Sequence, residues 1–475
     1  MSLMSPRALA AAAVLCLALL AAGCGASTAE TGSVPESAKL APADAVGFVT
    51  LVTDESSEQW ENADRLLGLF PDARARLLEE VRAELAHEDL SWDADVAPAL
   101  GDELVVVVTA DKRPIVLLQP GDEERLAALL EKADDPPVRA SVSDWTALAE
   151  TRADLDAYLA ALDRATLEGV GAFAEAMEGL PDDALARGWV DLRPFLSELT
   201  SALEGSGVKG ELGVDWLATG ITAQDDGVHL SMGVRTPGDN GSSYEPELVE
   251  RVPADAVAVV SFGGTQGILD RVEDAVDVDA ISNVLEDAVG VSLDSLVDAL
   301  SGEGVLYVRE GRDVPEVTLV LAPPDAGGAF DTVDRVARRV AEQTREEVRT
   351  RTDGALTVHE LRAEAITVTY ARLDDDRVIV TTGESGIADF LSDEPKLADA
   401  DGFETAADRV ELGERTRGFA YVDIDGAVPL VEGLAGQDAV PDEAREVLET
   451  LDSFILLASG DGPTTRLSGF LRVTR

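Results

Sequence analysis

Cysteine and histidine, on which most metal centres and many nucleophilic sites depend, are nearly absent from this 475-residue chain. The two cysteines, Cys16 and Cys24, lie near the N-terminus, and the three histidines are His87, His229 and His359. No H-E-x-x-H segment and no suitably spaced cysteine pair occurs, which excludes the common zinc motifs. The sequence therefore predicts no metal site and no histidine-dependent catalysis.

The usual phosphate-binding and serine-nucleophile motifs are missing as well. There is no Walker A loop and no dinucleotide fingerprint after a strand. The segment TTGESG, which begins at Thr381, comes near a nucleophile elbow but has the wrong spacing. We therefore predict no catalytic residues, no cofactor and no enzymatic activity.

Positive charge is scarce: 38 basic residues face 92 acidic ones, and the net charge is −54. Nucleic-acid binding needs a basic surface, so the composition argues against a nucleic-acid partner. Aromatic residues make up 4% of the chain while hydrophobic residues reach 45%. The chain is thus globular, with cores built mainly from alanine, valine and leucine.

The N-terminal residues predict that the protein is located at the cell envelope. Arg7 precedes an uncharged stretch over residues 8–22, which has the length of a signal peptide. The sequence LLAAGCG, from Leu19, resembles the bacterial lipobox. That resemblance implies a signal peptide over 1–23 and a lipid on Cys24, at the extracytoplasmic face of the cell membrane. An ordinary secretory signal with a chance cysteine is the alternative.

The residues after Cys24 are polar and small up to about residue 41, and they predict a flexible tether over 24–41. No later stretch is long and apolar enough for a transmembrane helix. The membrane is therefore expected as a partner through the lipid anchor alone.

The chain repeats itself. APADAVGFVTLV, from Ala41, returns as VPADAVAVVSF from Val252, and ARGWVDLRPFLSEL, from Ala186, returns as TRGFAYVDIDGAVPLVEGL from Thr416. Two further pairs of segments keep the same order. We interpret this as a tandem duplication with a first repeat over 42–236, a linker over 237–252 and a second repeat over 253–475.

Each repeat reads as strands joined by tight turns, with helices in blocks. A closing hairpin is predicted over 217–223 and 228–235, and its counterpart over 454–458 and 465–473. Directly joined hairpins indicate antiparallel pairing. The predicted fold class is α+β: two homologous tandem domains, each a mainly antiparallel sheet with helices packed on it.

The phrases PADAVGFV, DESSEQWENADRLLGLFP and GDEL are similar to a bacterial domain-of-unknown-function family of secreted and membrane-anchored proteins with tandem-duplicated α+β units. The resemblance covers most of the chain after the signal. It implies no established activity and no catalytic residues.

Two local features invite a functional interpretation. KLADADGFETAAD, from Lys396, partly matches a calcium loop, but Leu397 and Asp408 occupy ligand positions that it needs, so a turn with solvated acids is expected. Trp60 follows the polar segment TDESSEQ, where helix capping and core packing are expected. All five tryptophans, Trp60, Trp92, Trp145, Trp189 and Trp216, lie in the first half.

These observations predict a non-catalytic binding or interaction protein at the cell envelope, whose partner is an envelope protein. Such a protein should carry an exposed apolar patch. A carrier of a hydrophobic ligand is the first alternative and should enclose an apolar cavity. A carboxylate-dependent hydrolase is the second, and needs two buried acids facing each other at about 5 or 6.5–9.5 Å.

Overall fold

The computed structural model of the protein describes residues 32–70, 91–132, 135–196, 213–238, 241–264, 282, 286, 289–311, 314–363, 366–383, 385–435, 441–460 and 462–474. The chain divides into two compact units. Unit 1 comprises Met1–Phe195, Val214–Pro237 and Arg466–Arg475, and unit 2 comprises Leu196–Gly213 and Gly238–Thr465.

Unit 1 opens with a 3-10 turn at Glu36–Leu40. Its strands are β1 (Gly47–Val52), β2 (Glu103–Val108), β3 (Pro114–Leu118), β4 (Val138–Val142), β5 (Trp145–Ala149), β6 (Ala186–Asp191), β7 (Trp216–Ala223) and β8 (Gly227–Arg235). Its helices are α1 (Glu58–Gly68), α2 (Ala97–Leu100), α3 (Glu123–Glu131), α4 (Arg152–Leu162) and α5 (Gly171–Met177), with a π-helical turn at Trp92–Val96 and 3-10 turns at Leu167–Gly169 and Arg193–Phe195.

The strands of unit 1 pair antiparallel in the order β4-β5-β3-β2-β1-β6-β7-β8. The predicted closing hairpin is present, and Ala223 pairs with Val228 across its turn. Helix starts are set by short polar caps: Ser57 accepts the Trp60 N–H, Asp122 accepts two N–H groups and Thr151 accepts the Asp154 N–H.

Unit 1 buries both faces of its central strands. On one face Phe173 of α5 meets Phe48 and Trp189 edge to face, with ring centroids 5.3 and 5.4 Å apart. On the other face Val106 and Leu118 pack with leucines of α3 such as Leu126. The two clusters together make a core of small aliphatic residues with a few aromatic rings, as the composition predicts.

The tether predicted over 24–41 is wrong for its second half. Residues 24–31 lie outside the described residues. From residue 32 onward the chain packs on unit 1, and Ala38 and Leu40 of the 3-10 turn are buried in its core. The Tyr158 hydroxyl also donates to the Leu40 carbonyl, so this polar-looking segment is part of the domain.

Unit 2 opens with a 3-10 turn at Glu247–Arg251. Its strands are β9 (Ala256–Gly263), β10 (Glu303–Arg309), β11 (Glu316–Ala322), β12 (Arg349–Asp353), β13 (Leu356–Ala363), β14 (Ile366–Arg372), β15 (Val378–Thr381), β16 (Gly418–Asp423) and β17 (Leu451–Ser459). Its helices are α6 (Leu293–Leu300), α7 (Ala326–Thr344), α8 (Gly386–Leu391), α9 (Asp401–Arg409), α10 (Ile424–Ala435) and α11 (Asp442–Leu448), with a 3-10 turn at Leu397–Asp399.

The strands of unit 2 pair antiparallel in the order β12-β13-β14-β15-β11-β10-β9-β16-β17. Seven of these strands, β14-β15-β11-β10-β9-β16-β17, follow the order of β4-β5-β3-β2-β1-β6-β7 in unit 1, and the β12–β13 hairpin is added at one end. Details match too: the Leu167 N–H donates to the Ala41 carbonyl over 2.8 Å, and the Leu397 N–H donates to the Val252 carbonyl over 2.8 Å. The two units thus share most of their strand order and this contact before the first strand.

The linker predicted over 237–252 is corrected by the same comparison. Leu248 and Val249 of the 3-10 turn at Glu247–Arg251 are buried, so these residues belong to unit 2. The turn stands where Glu36–Leu40 stands in unit 1, immediately before the Pro-Ala-Asp-Ala segment.

A last strand, β18 (Thr464–Val473), ends the chain. Residues 466–475, which the sequence assigns to the second repeat, group with unit 1, where β18 pairs with β8. The pairing gives the backbone groups of β8 a partner at what would otherwise be an open sheet edge.

The fold class is α+β, with antiparallel sheets and helices packed on them. Among the residues described above, no helix combines the length and the hydropathy needed to cross a membrane.

Candidate functional site: an apolar sheet face and an ion-pair cleft in unit 2

One face of the unit 2 sheet carries apolar side chains that are not fully covered. Strand register places two rows of five residues side by side across β11, β10, β9, β16 and β17. The first row is Leu319, Leu306, Val260, Ala420 and Leu456, and the second is Val317, Val308, Ala258, Val422 and Phe454. We call these ten residues the apolar face.

None of the ten is buried. Val260, on the central strand, is 43% exposed, Val317 is 37% exposed, and the other eight are half-buried. Five strands spaced about 4.8 Å apart make each row roughly 19 Å long. The apolar face is therefore a surface of the size that a partner can cover.

The residues that alternate with the apolar face form the core of unit 2. Val259, Tyr307 and Tyr421 point to the opposite side and are buried. There Phe403 of α9 lies edge to face on Tyr421, with ring centroids 5.1 Å apart. An antiparallel sheet with one solvated face normally places polar residues on that face. Here both faces are apolar, although only one is fully buried.

The equivalent face of unit 1 is covered along β2 and β3, while Val49, the residue that matches Val260, is half-buried. Val106, which pairs with Val49, is 1% exposed, and the cluster around it includes Leu118 and leucines of α3. Helix α1 adds a second contact, since Gln59 accepts the Ala223 N–H and the Asn62 amide donates to the Ala223 carbonyl. The two units thus share a plan but differ in how far this face is closed.

Helix α10 follows β16 and is mainly apolar. It contacts β9, β16 and β17. None of its residues 424–433 is buried, and Val431 is 46% exposed. Unit 2 thus carries a further exposed apolar side chain outside the strands.

A polar cleft of about 460 Å³ lies at the end of β10. Its centre is Arg309, whose side chain is 7% exposed. One terminal nitrogen, Nη2, donates to Glu316 Oε2 over 2.8 Å and to Asp389 Oδ2 over 2.7 Å. The other, Nη1, lies 3.3 Å from Asp255 Oδ1. Arg309 Nε has no partner among the described residues.

The electrostatics of this cleft are those of a closed ion-pair network. Burial disfavours the guanidinium charge, but the surrounding carboxylates outweigh burial and raise the pKa of Arg309. Burial likewise raises the pKa of Asp389, but hydrogen bonds from Ser385 and Arg309 outweigh it, and the net pKa lies below the ordinary value. Both groups are thus held ionised.

The two acids in this cleft are bound to one guanidinium. Glu316 and Asp389 accept hydrogen bonds from the same nitrogen of Arg309, so their carboxylates are close together. Asp389 is held as a carboxylate by Arg309 and Ser385. The arrangement fits a structural role.

Two further carboxylates with raised pKa values occupy matching places in the two units. Burial raises the pKa of Glu103, the first residue of β2, which accepts a hydrogen bond from Ser37. Burial raises the pKa of Glu303, the first residue of β10, to about 7, and its carboxylate accepts the Leu248 N–H over 2.6 Å. Each acid thus faces the 3-10 turn that opens its unit.

The residues singled out from the sequence are scattered. Cys24 and His87 lie outside the described residues. His229 is buried on β8, with Nε2 3.4 Å from Ser468 Oγ. His359 stacks on Tyr370 in a cluster with Phe330. The two described histidines do not share a site.

The tryptophans behave mainly as core residues. Trp145, Trp189 and Trp216 are buried, as predicted. Trp60 is half-buried and donates from Nε1 to the Val52 carbonyl over 2.8 Å, while Trp92 Nε1 donates to Glu55. Neither indole is a free platform for a ligand.

The calcium-like segment is helical. Leu397 is buried in the 3-10 turn at Leu397–Asp399, and Asp401 begins α9. Within the described ranges, no cluster of three or more His, Cys, Asp or Glu side chains is arranged to hold a metal ion.

Comparison with known proteins adds little. No protein-family model matches the chain, and no curated protein sequence matches it. The structure of TP0453 in crystal form IV aligns with 46% of this chain and with 77% of the TP0453 chain, at 14% sequence identity and a TM-score of 0.26. The structure of TP0453 in crystal form III aligns with 48% of this chain and with 93% of the TP0453 chain, at 12% sequence identity and a TM-score of 0.24.

Proposed function

We propose that the protein is a non-catalytic binding protein, held at the extracytoplasmic face of the cell membrane by a lipid on Cys24. Its interaction surface is the apolar face of unit 2, and its partner is another protein of the envelope. One observation carries the proposal: ten apolar side chains stand in register across five strands and none of them is buried, with Val260 at their centre 43% exposed. Large exposed apolar patches on folded proteins mark interaction sites.

The lipid anchor is supported by the sequence. A lipoprotein signal fits two features of the N-terminus. They are the apolar stretch over residues 8–22 and the segment LLAAGCG over residues 19–25, which contains Cys24. Stable anchoring needs two acyl chains, because a single chain holds a protein only marginally. The net charge of −54 adds nothing to membrane affinity, since anionic headgroups repel acidic surfaces.

A carrier of a hydrophobic ligand is the second candidate. The exposed valine of α10 favours it, because an apolar side chain outside the strands offers an acyl chain a further contact. Two features favour the protein partner over the carrier. The apolar face carries two exposed valines, Val260 and Val317, and the cleft around Arg309 is lined mainly by charged and polar side chains. An enclosed apolar cavity is what a carrier would use.

Site-specific photo-crosslinking in the native bacterium tests the proposal. A photo-reactive amino acid replaces Val260, and the matched control replaces Ile366, which is equally exposed at 43% but lies on β14. The proposal expects a discrete crosslinked protein at position 260 and none at position 366. Crosslinking to lipid alone at position 260 would favour the carrier. Equal or absent crosslinking at both positions would overturn the interaction surface.

A further inference from the structure

The first described residues of the chain are clamped to unit 1. The Gly32 N–H donates to the Glu178 carbonyl over 3.3 Å. A Cβ at Gly32 would lie 1.8 Å from the Leu180 carbonyl oxygen, so the backbone passes against the loop that follows α5 with no room for a side chain. Only glycine fits at this crossing.

Ser33 provides the second part of this clamp. Its N–H donates to Asp182 Oδ1 over 2.7 Å, and its hydroxyl reaches the same carboxylate over 3.0 Å. Arg187 Nη1 donates to the Ser33 carbonyl over 3.2 Å and to Asp182 over 3.1 Å. Charge-assisted bonds of this kind hold the segment to the start of β6.

Covalent length then limits where a lipid on Cys24 can be. Gly32 is eight residue steps from Cys24, and a chain spans at most about 3.3–3.6 Å per step, or roughly 26–29 Å. A unit of about 230 residues has a radius of gyration of roughly 17 Å, which corresponds to a body about 45 Å across. The anchor cannot reach the far side of such a body.

We propose that unit 1 rests on the bilayer through the surface around Gly32, with the loop over residues 178–183 closest to the headgroups. The proposal rests on the lipid anchor proposed above. The exposed side chains of this surface, Glu178, Asp182 and Asp183, are acidic. An anionic leaflet would repel them, so the surface fits neutral or zwitterionic headgroups, with the acyl chains supplying the affinity.

Fluorescence quenching on vesicles tests this orientation. Because Cys16 leaves with the signal peptide and Cys24 is acylated, a single added cysteine gives one labelling site. Asp183→Cys places the dye on the proposed surface. Asp111→Cys is the matched control, an exposed aspartate in the turn between β2 and β3. That turn follows Val108. Val108 and Val190 both pair with Gly47, so the turn lies near the end of β6 that is opposite to Arg187.

The lipidated protein is reconstituted into phosphatidylcholine vesicles that contain a headgroup-attached quencher. We expect at least threefold stronger quenching at position 183 than at position 111. A fifteen-residue Gly/Ser insertion after Gly25 should remove the difference. Equal quenching at the two positions in the native-length chain would overturn the orientation while leaving the anchor intact. A protein without acyl mass on Cys24, which fails to bind vesicles, would overturn the anchor and the orientation together.

Discussion

Replacing Arg309 by methionine should destabilise unit 2 strongly. Methionine fills a similar volume but leaves the carboxylates of Glu316 and Asp389 side by side with no cation between them. Breaking a buried charge network by removing one partner costs about 3–5 kcal/mol, because the remaining charge stays desolvated. The carboxylates left behind are partly exposed, Glu316 at 19% and Asp389 at 27%, so solvent relieves part of this cost and the expected value is the lower one, about 3 kcal/mol.

The size of the effect can be measured by urea unfolding and by thermal unfolding at pH 7. A loss of about 3 kcal/mol should lower the melting temperature of a domain of this size by roughly 6–12 °C. Arg338→Met is the matched control, since Arg338 pairs with Asp334 on the surface of α7 and is 58% exposed. An exposed pair of this kind contributes about 0.5 kcal/mol or less.

The deficit should also shrink in acid. The lowered pKa of Asp389 means that its ionised form stabilises the wild-type fold above the unfolded pKa of about 4, and that this contribution is lost as pH falls through the folded value. In the methionine variant, protonation of the same acids relieves repulsion. The difference between the two proteins should therefore be smaller at pH 4 than at pH 7. A deficit under 1 kcal/mol at pH 7, or one that grows in acid, would refute the description of the cleft as an ion-pair network.

Other predictions concern the core of unit 1, the raised pKa of Glu303 and the apolar face. Phe173→Ala, which removes the ring between Phe48 and Trp189, should cost about 3–5 kcal/mol in urea unfolding, and a loss below 1 kcal/mol would contradict the packing. Because the pKa of Glu303 is raised to about 7, its contribution to stability is full below the unfolded value and declines as pH rises toward 7. Glu303→Gln should remove that part of the decline, and identical pH profiles from pH 5 to 8 would count against it. Val260→Glu should change unfolding by no more than about 1 kcal/mol while abolishing partner binding, and a larger loss would mean that the face is buried.

Much of the fold follows from local patterns in the sequence. The hairpin predicted over 217–223 and 228–235 appears as β7 and β8 within one residue at each strand, because alternation and a D-D-G turn specify it. The α+β class follows from hairpins joined directly, which leave no room for parallel crossovers.

The 3-10 turns were missed for a specific reason. ESAKL and ELVER carry few apolar residues, so they read as tether and linker. The alignment of ESAKLAPADAV with ELVERVPADAV held the missing signal, because two flexible segments have no cause to share length and position before the same strand.

The candidate surface had a sequence signal too, while the cleft had none. Runs such as AVAVV and FILLA, without polar alternation, indicate strands built to be covered on both faces. The Arg309 network joins Asp255, Glu316 and Asp389, which come from three separate segments of the chain. Among 92 acidic residues no local pattern marks these three, and only the tertiary fold brings them together.

The most direct test of the account is native mass spectrometry of the mature protein purified in mild detergent from its own membranes, alongside the Val260→Glu variant. The account predicts acyl mass on Cys24 in both, and an additional bound protein that is present with the wild type and absent with the variant. An N-terminus without acyl mass, or a bound partner that survives the Val260→Glu change, would contradict it.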